Sequence, residues 1–219
     1  VTLHILVRLP RFELLRKITY WDSGNENIRW KMRFNELYLG LDRKTIPISQ
    51  KEYKTHHILG WVPKTNLSII NHLDQRYTTN SSGFRSLHEY SQDEDKYTVL
   101  VVGDSVTYGS WADDSEVWPT LLQQMNMHLN ILNLAVGGYG TDQMALMLDM
   151  HIEEYNPDLV IIAFISDNLH RSTLLFRDYW KPHYVLNEDN LVLTGTPVPE
   201  LPQGTAKVQS DLKVYSLFN

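Results

Sequence analysis

Tyr97-Thr98-Val99-Leu100-Val101-Val102, followed at once by Gly103-Asp104-Ser105-Val106-Thr107-Tyr108-Gly109, decides how this chain is read. The first six residues, mostly β-branched and aliphatic, predict a buried strand. A small, polar, glycine-bracketed turn after such a strand is where an open α/β sheet places its chemistry. Ser105 sits in that turn, with a hydroxyl that becomes a nucleophile if a base reaches it.

Outward from this turn the pattern repeats. A helix is expected from near Ser115, with Glu116 and Pro119 in its first turn. A second strand over 130–136 runs into Gly137-Gly138-Tyr139-Gly140. A helix over 141–155 follows, with Thr141 as its N-cap. Its Met144, Met147, Leu148 and Ile152 fall at helical spacing and read as core. Asn156-Pro157 ends it, and residues 159–164 (LVIIAF) make a third strand. Strand, loop and helix in alternation predict an α/β fold, a three-layer α/β/α sandwich around a short parallel sheet. Right-handed crossovers then bring the three post-strand loops to one sheet edge. Asp104 and Ser105 lie on the first loop, Gly138 on the second, and Ser166, Asp167 and Asn168 on the third.

Residues 1–95 read as a polar, irregular N-terminal extension packing on the core, and 96–219 as the main domain. Residues 29–39 suit a short helix or a strand. Residues 184–186 and 191–193 flank Asn187-Glu188-Asp189-Asn190 and predict a β-hairpin insertion. Residues 206–218 look like the start of another helix. Three strands are few for this architecture, so the C-terminal part of the domain is expected to be missing.

Composition narrows the function. The 219 residues carry 42% hydrophobic residues, enough for an ordinary core. A net charge of −6, with no compensating basic face, argues against a nucleic-acid partner. With no cysteine there is no disulfide, thiolate metal site or cysteine nucleophile. No apolar run is long enough to span a bilayer. Residues 2–9 (TLHILVRL) are either an ordinary element or the stub of a removed anchor or signal segment, which tilts the expected location toward the cell envelope or secretion.

Acyl transfer needs a nucleophile and hydrogen-bond donors aimed at the developing oxyanion. Ser105 Oγ supplies the first. The Ser105 N–H, the Gly138 N–H and the Asn168 carboxamide are candidates for the second, and glycine at 138 allows a close backbone approach. GDSVTYG, then NLAVGGYG, then a strand ending FISDN, resembles the SGNH/GDSL hydrolase family. Leu59-Gly60-Trp61-Val62-Pro63 and Asn80-Ser81-Ser82-Gly83-Phe84-Arg85 look like the lead-in of many bacterial members. The similarity covers roughly residues 59–199.

The resemblance implies a flavodoxin-like fold and a serine ester hydrolase, an esterase or deacylase that includes carbohydrate O-deacetylases. Its substrate would be a small-molecule or carbohydrate acyl ester, with no metal or organic cofactor. Ser105 matches the nucleophile and first oxyanion donor, Gly138 the second donor, and Asp104 a structural hydrogen-bonding residue. The third block departs from the family's Gly-x-Asn-Asp. Counted without gaps, Asp167 takes the donor asparagine's place and Asn168 that of the aspartate after it. A carboxylate cannot donate. Asn168 therefore reaches in through a one-residue bulge, or Asp167 is protonated, or the hole has two donors; the first is the preferred expectation.

The family's Asp-x-x-His lies near the end of the domain. Asp167-Asn168-Leu169-His170 matches it literally but follows the third strand directly, so it is set aside. The base is expected beyond Asn219, and the chain to be a poor catalyst. An O-acyltransferase acting on envelope polysaccharide, and a non-catalytic binding domain, stay open as alternatives. His56-His57 lacks further ligands at metal spacing. Asp113-Asp114 and Glu153-Glu154 read as solvated surface, Trp111 and Trp118 as core near the nucleophile loop, and Asn66-Leu67-Ser68 as a chance glycosylation sequon.

Overall fold

Four consecutive side chains, Val99 to Val102, are at most 2% exposed, which requires cover on both faces of their strand. The computed structural model describes residues 51–71, 73–90, 95–177 and 179–200. The expectations for 2–9, 29–39 and 206–218 lie outside them.

Among the described residues four short strands come first: β1 (Tyr53–His56), β2 (Gly60–Pro63), β3 (Ser68–Ile70) and β4 (Arg76–Thr78). β1 pairs with β2, and β3 with β4, both antiparallel. The central strand is β5 (Tyr97–Gly103), followed by α1 (Ser105–Tyr108), α2 (Trp118–Met125), β6 (Leu129–Asn133), α3 (Thr141–Tyr155), β7 (Leu159–Ala163) and α4 (Ser166–Arg171). The sheet order β6-β5-β7 is parallel throughout, with Val99 opposite both Ile131 and Leu159. The fold is thus α/β around a small three-stranded parallel sheet. Two hairpins close the described chain: β8 (Phe176–Arg177) with β9 (Tyr179–Trp180), and β10 (His183–Asn187) with β11 (Asn190–Thr194). The expected hairpin is present and one residue longer at each outer and inner end, turning at Glu188-Asp189 with Glu188 at φ 53°.

Several boundaries shift for identifiable reasons. α2 begins at Trp118, because Asp113 and Glu116 close a turn of their own: Glu116 N donates to Asp113 O, and Ser115 N to Asp113 Oδ1. Strand β6 stops at Asn133, yet Leu134 N and Val136 N still donate to Val101 O and Gly103 O, so the backbone stays zipped to β5 up to the glycine loop. Thr141 is not the cap of α3. Gly140 is, and its N–H donates to Gln143 Oε1, while Thr141 Oγ1 bonds Ser172 Oγ. Met144 and Met147 are buried as expected, but Ile152 is 39% exposed on the outer side of α3.

Tyr53, Leu59, Trp61, Tyr77 and Phe84 share one buried cluster with Leu100, Val102, Leu132 and Met144. The N-terminal strands are therefore part of the core around the sheet. No helix among the described residues is long and apolar enough to cross a membrane.

Candidate active site

Asp104 organises the end of β5. It is buried, extended (φ −105°) and caps α1 by accepting from Val106 N at 2.9 Å. Gly103 has to be glycine, because a Cβ there would meet Thr107 Oγ1 at 2.5 Å and Ala163 O at 3.0 Å. Ser105 is the first residue of α1 and half-buried, and its side chain makes no hydrogen bond among the described residues.

The second loop is held from outside the sheet. Trp61 Nε1 donates to Gly137 O at 3.0 Å, and the Tyr139 hydroxyl donates to Trp61 O at 2.6 Å. Gln143 Nε2 donates to Leu59 O at 2.7 Å, and the Trp61 ring meets Tyr139 edge-on at 5.4 Å. The Leu59-Gly60-Trp61 segment thus works as a clamp on the glycine loop. Gly138 is buried, with φ +87°, a conformation that glycine adopts without strain. Among the described residues, neither the Gly138 N–H nor the Ser105 N–H has an acceptor. An unpaired donor on a buried residue is uncommon enough to suggest a ligand.

The third loop corrects the expectation for Asn168. There is no bulge: Ser166, Asp167 and Asn168 open α4 directly. Asn168 is fully buried, and its amide donates to Asp104 Oδ2 at 3.0 Å and to Tyr139 O at 2.8 Å. Its Oδ1 accepts from Ile165 N at 2.5 Å. With both amide hydrogens used, Asn168 has none left for an oxyanion. Its work is to tie the three loops together. Asp167 takes the rim, 59% exposed and 4.0 Å from Arg171 Nη2. Arg171 Nη1 donates to Asp104 Oδ2 at 3.0 Å, so one guanidinium serves both carboxylates. Through Asn168 the neighbours of Ser105 and Gly138, Asp104 and Tyr139, are tied together, with Asp104, Gly138 and Asn168 buried, Ser105 half-buried and Asp167 exposed.

Other expectations also change. Asp114 is not surface. It is 5% exposed and receives Arg85 Nε at 2.7 Å. Trp111 is not core, at 70% exposure on the loop after α1. His170 is exposed on α4. His56 and His57 lie ring to ring at 4.8 Å, and His56 Nδ1 accepts from Ile58 N and Leu59 N, so it shapes a turn. Among the described residues no cluster of three or more His, Asp or Glu could hold a metal ion. A cavity of about 380 Å³ lies between the 84–90 segment and α2, and a smaller one of about 200 Å³ beside Met147 and His151. Ser105, Gly138 and Asp167 line neither of them.

Two further residues at the site, Arg171 and Arg177, belong to none of the motifs in the sequence. Arg171 carried a usable signal, because it lies one helical turn after Asp167 and Asn168, a cation within reach of the third loop. Arg177 carried none. It arrives from β8, and only the folded chain sets its guanidinium against Gly138, where a Cβ would meet Nη1 at 1.8 Å.

No family model matches the sequence. No curated protein matches it either.

Tyrosines under the site make the fold alkali-sensitive. Burial pushes the hydroxyls of Tyr53, Tyr108 and Tyr139 above the ordinary tyrosine value, with neighbouring Tyr108, Glu52 and Asp142 adding to the effect. A group whose folded pKa is raised contributes stability below its unfolded value and loses it as pH rises. Stability should therefore fall steeply above about pH 10. In a pH titration, tyrosinate absorbance from these three should appear only together with loss of circular dichroism. Their ionisation in a still-folded protein would contradict this.

Proposed function

We propose that the protein is a serine ester hydrolase of the SGNH/GDSL type, with Ser105 as nucleophile. One observation carries the reading. The Asn168 amide bridges Asp104 Oδ2 and Tyr139 O, so the residues flanking Ser105 and Gly138 are held by a single side chain. Both backbone N–H groups that such a site needs are without acceptors among the described residues.

Ser105 Oγ attacks the ester carbonyl and its proton passes to a base. The carbonyl π electrons move onto oxygen, where the Ser105 and Gly138 N–H groups receive the charge. Collapse of the tetrahedral intermediate expels the alcohol and leaves an acyl-enzyme, which water cleaves in the same manner. Two N–H donors make up this hole, since Asn168 is spent and the Asp167 carboxylate cannot donate. No histidine bonds Ser105 among the described residues, and a serine working without its base loses most of its rate. Turnover of p-nitrophenyl acetate by this chain is accordingly expected to be slow.

The decisive experiment is reaction with a neutral alkyl fluorophosphonate, read by intact mass and peptide mapping. One adduct per chain, on Ser105 and absent in Ser105→Ala, is the expected result. A silent Ser105 favours the non-catalytic binding domain, for which the Asp167 carboxylate at the rim already speaks. Transfer of acetyl to a sugar in preference to water would identify an O-acyltransferase using the same site.

A further inference from the structure

We propose that Arg177 is a positioning residue for this oxyanion site, holding a positive charge behind the Gly138 N–H. The inference rests on the reading of Ser105 and Gly138 given above. Arg177 Nη1 lies 1.8 Å from where a Gly138 Cβ would be, and its Cζ 2.8 Å away, so the guanidinium fills the space that the absent side chain leaves. Adding one N–Cα–Cβ span to that 1.8 Å puts Nη1 no more than about 4.3 Å from the Gly138 nitrogen. With φ at +87°, the N–H points to the side of Cα away from the Cβ position. The cation therefore sits at the rear of the donor and the substrate oxygen at its front. Charge in that place adds to the positive potential at the front without taking up the hydrogen bond.

The arm that carries the charge is fixed. Phe176 and Tyr179, on either side of it in the β8–β9 hairpin, are each 2% exposed. Tyr179 stacks on Trp61 with ring centres 5.8 Å apart, and its hydroxyl donates to Tyr53 O at 3.2 Å. Trp61 is also the residue that clamps Gly137, so one aromatic unit sets both the donor and the cation behind it. The other cation of this region, Lys181, pairs with α3: its Nζ lies 2.5 Å from Asp142 Oδ2 and is fully buried. A two-donor hole without a carboxamide is where such a charge has most effect, because a partly desolvated site screens it poorly.

The test uses the full chain and a neutral alkyl fluorophosphonate. Ser105 Oγ bonds to phosphorus, the P–F bond breaks, fluoride leaves, and the hydroxyl proton goes to water. The phosphoryl oxygen then occupies the oxyanion position. Labelling rate constants are compared for wild type, Arg177→Met and Arg177→Lys, with thermal midpoints measured alongside. Removing a charge aimed at the oxyanion should slow the covalent step about tenfold or more in Arg177→Met, less than loss of a direct donor. Arg177→Lys should stay within about threefold of wild type, because it keeps the charge. A purely structural arginine would move the midpoint and leave this charge dependence absent. Equal rates in wild type and Arg177→Met, or Lys as slow as Met, would overturn the proposal and leave Ser105 as nucleophile standing. No labelling of the wild type overturns both. If Arg177→Met does not fold, Arg177→Gln takes its place.

Discussion

Arg85→Met is expected to destabilise the fold by about 3–5 kcal/mol, the usual cost of stranding one partner of a buried ion pair. The guanidinium is buried, and every one of its N–H groups finds an acceptor. Nε donates to Asp114 Oδ1, Nη1 to the carbonyls of Tyr108 and Gly109, and Nη2 to those of Arg76 and Ala112. Its Cζ lies 4.1 Å from the Tyr77 ring centre, and the Tyr77 hydroxyl donates to Ser110 O. Arg85 thus shapes the loop that follows the Ser105 helix. For a chain of this size the loss corresponds to a thermal midpoint lower by roughly 6–20 °C. Asp114→Asn in the same chain should recover part of it, because the uncompensated carboxylate is gone. A drop of less than about 3 °C in the single variant would show that the network is worth little.

Asn168→Asp should be comparably damaging at neutral pH and should recover in acid. The change is isosteric. It removes the donors to Asp104 Oδ2 and Tyr139 O and sets a second carboxyl about 3.0 Å from the first. Two carboxylates that close cannot both ionise in a buried site, so the introduced carboxyl keeps its proton to a higher pH than in the unfolded chain. A raised folded pKa means stability retained below the unfolded value, about 4, and lost as pH rises beyond it. The deficit against wild type should therefore grow from about pH 4 to pH 7 and reach about 3–5 kcal/mol. Asn168→Ala is the control, because it loses the same bonds with no charge and its deficit should not vary over that range. Denaturant titrations at several pH values measure both. Parallel pH profiles for the two variants would show that Asn168 does not face Asp104 as described.

Much of the scaffold was legible in the residues. The runs 97–102 and 159–164 announced strands by their mostly apolar character and form β5 and β7, which end at Gly103 and Ala163, and Asn156-Pro157 stopped α3 where the sequence said it would. Local chemistry suffices there, since runs and breakers act on neighbours. Where a side chain's role depended on a distant partner, reading along the chain gave less. Asp114 looked like surface beside Asp113, and only Arg85, 29 residues earlier, makes it core. Trp111 looked like core, yet among the described residues it stays 70% exposed. Arg177 and Gly138 lie on separate elements, with nothing in either segment to indicate that they touch.

The third loop marks where one kind of information ends. Alternating patterns along the chain placed Ser105, Gly138 and the Ser166-Asp167-Asn168 segment at one sheet edge, because parallel strands joined by right-handed crossovers leave their following loops nowhere else to go. Which of Asp167 and Asn168 would face solvent, and which Asp104, was settled only by where α4 begins. Successive residues on a helix point about 100° apart. A single position therefore decided that the carboxylate stands at the rim and the carboxamide lies beneath it as a strut.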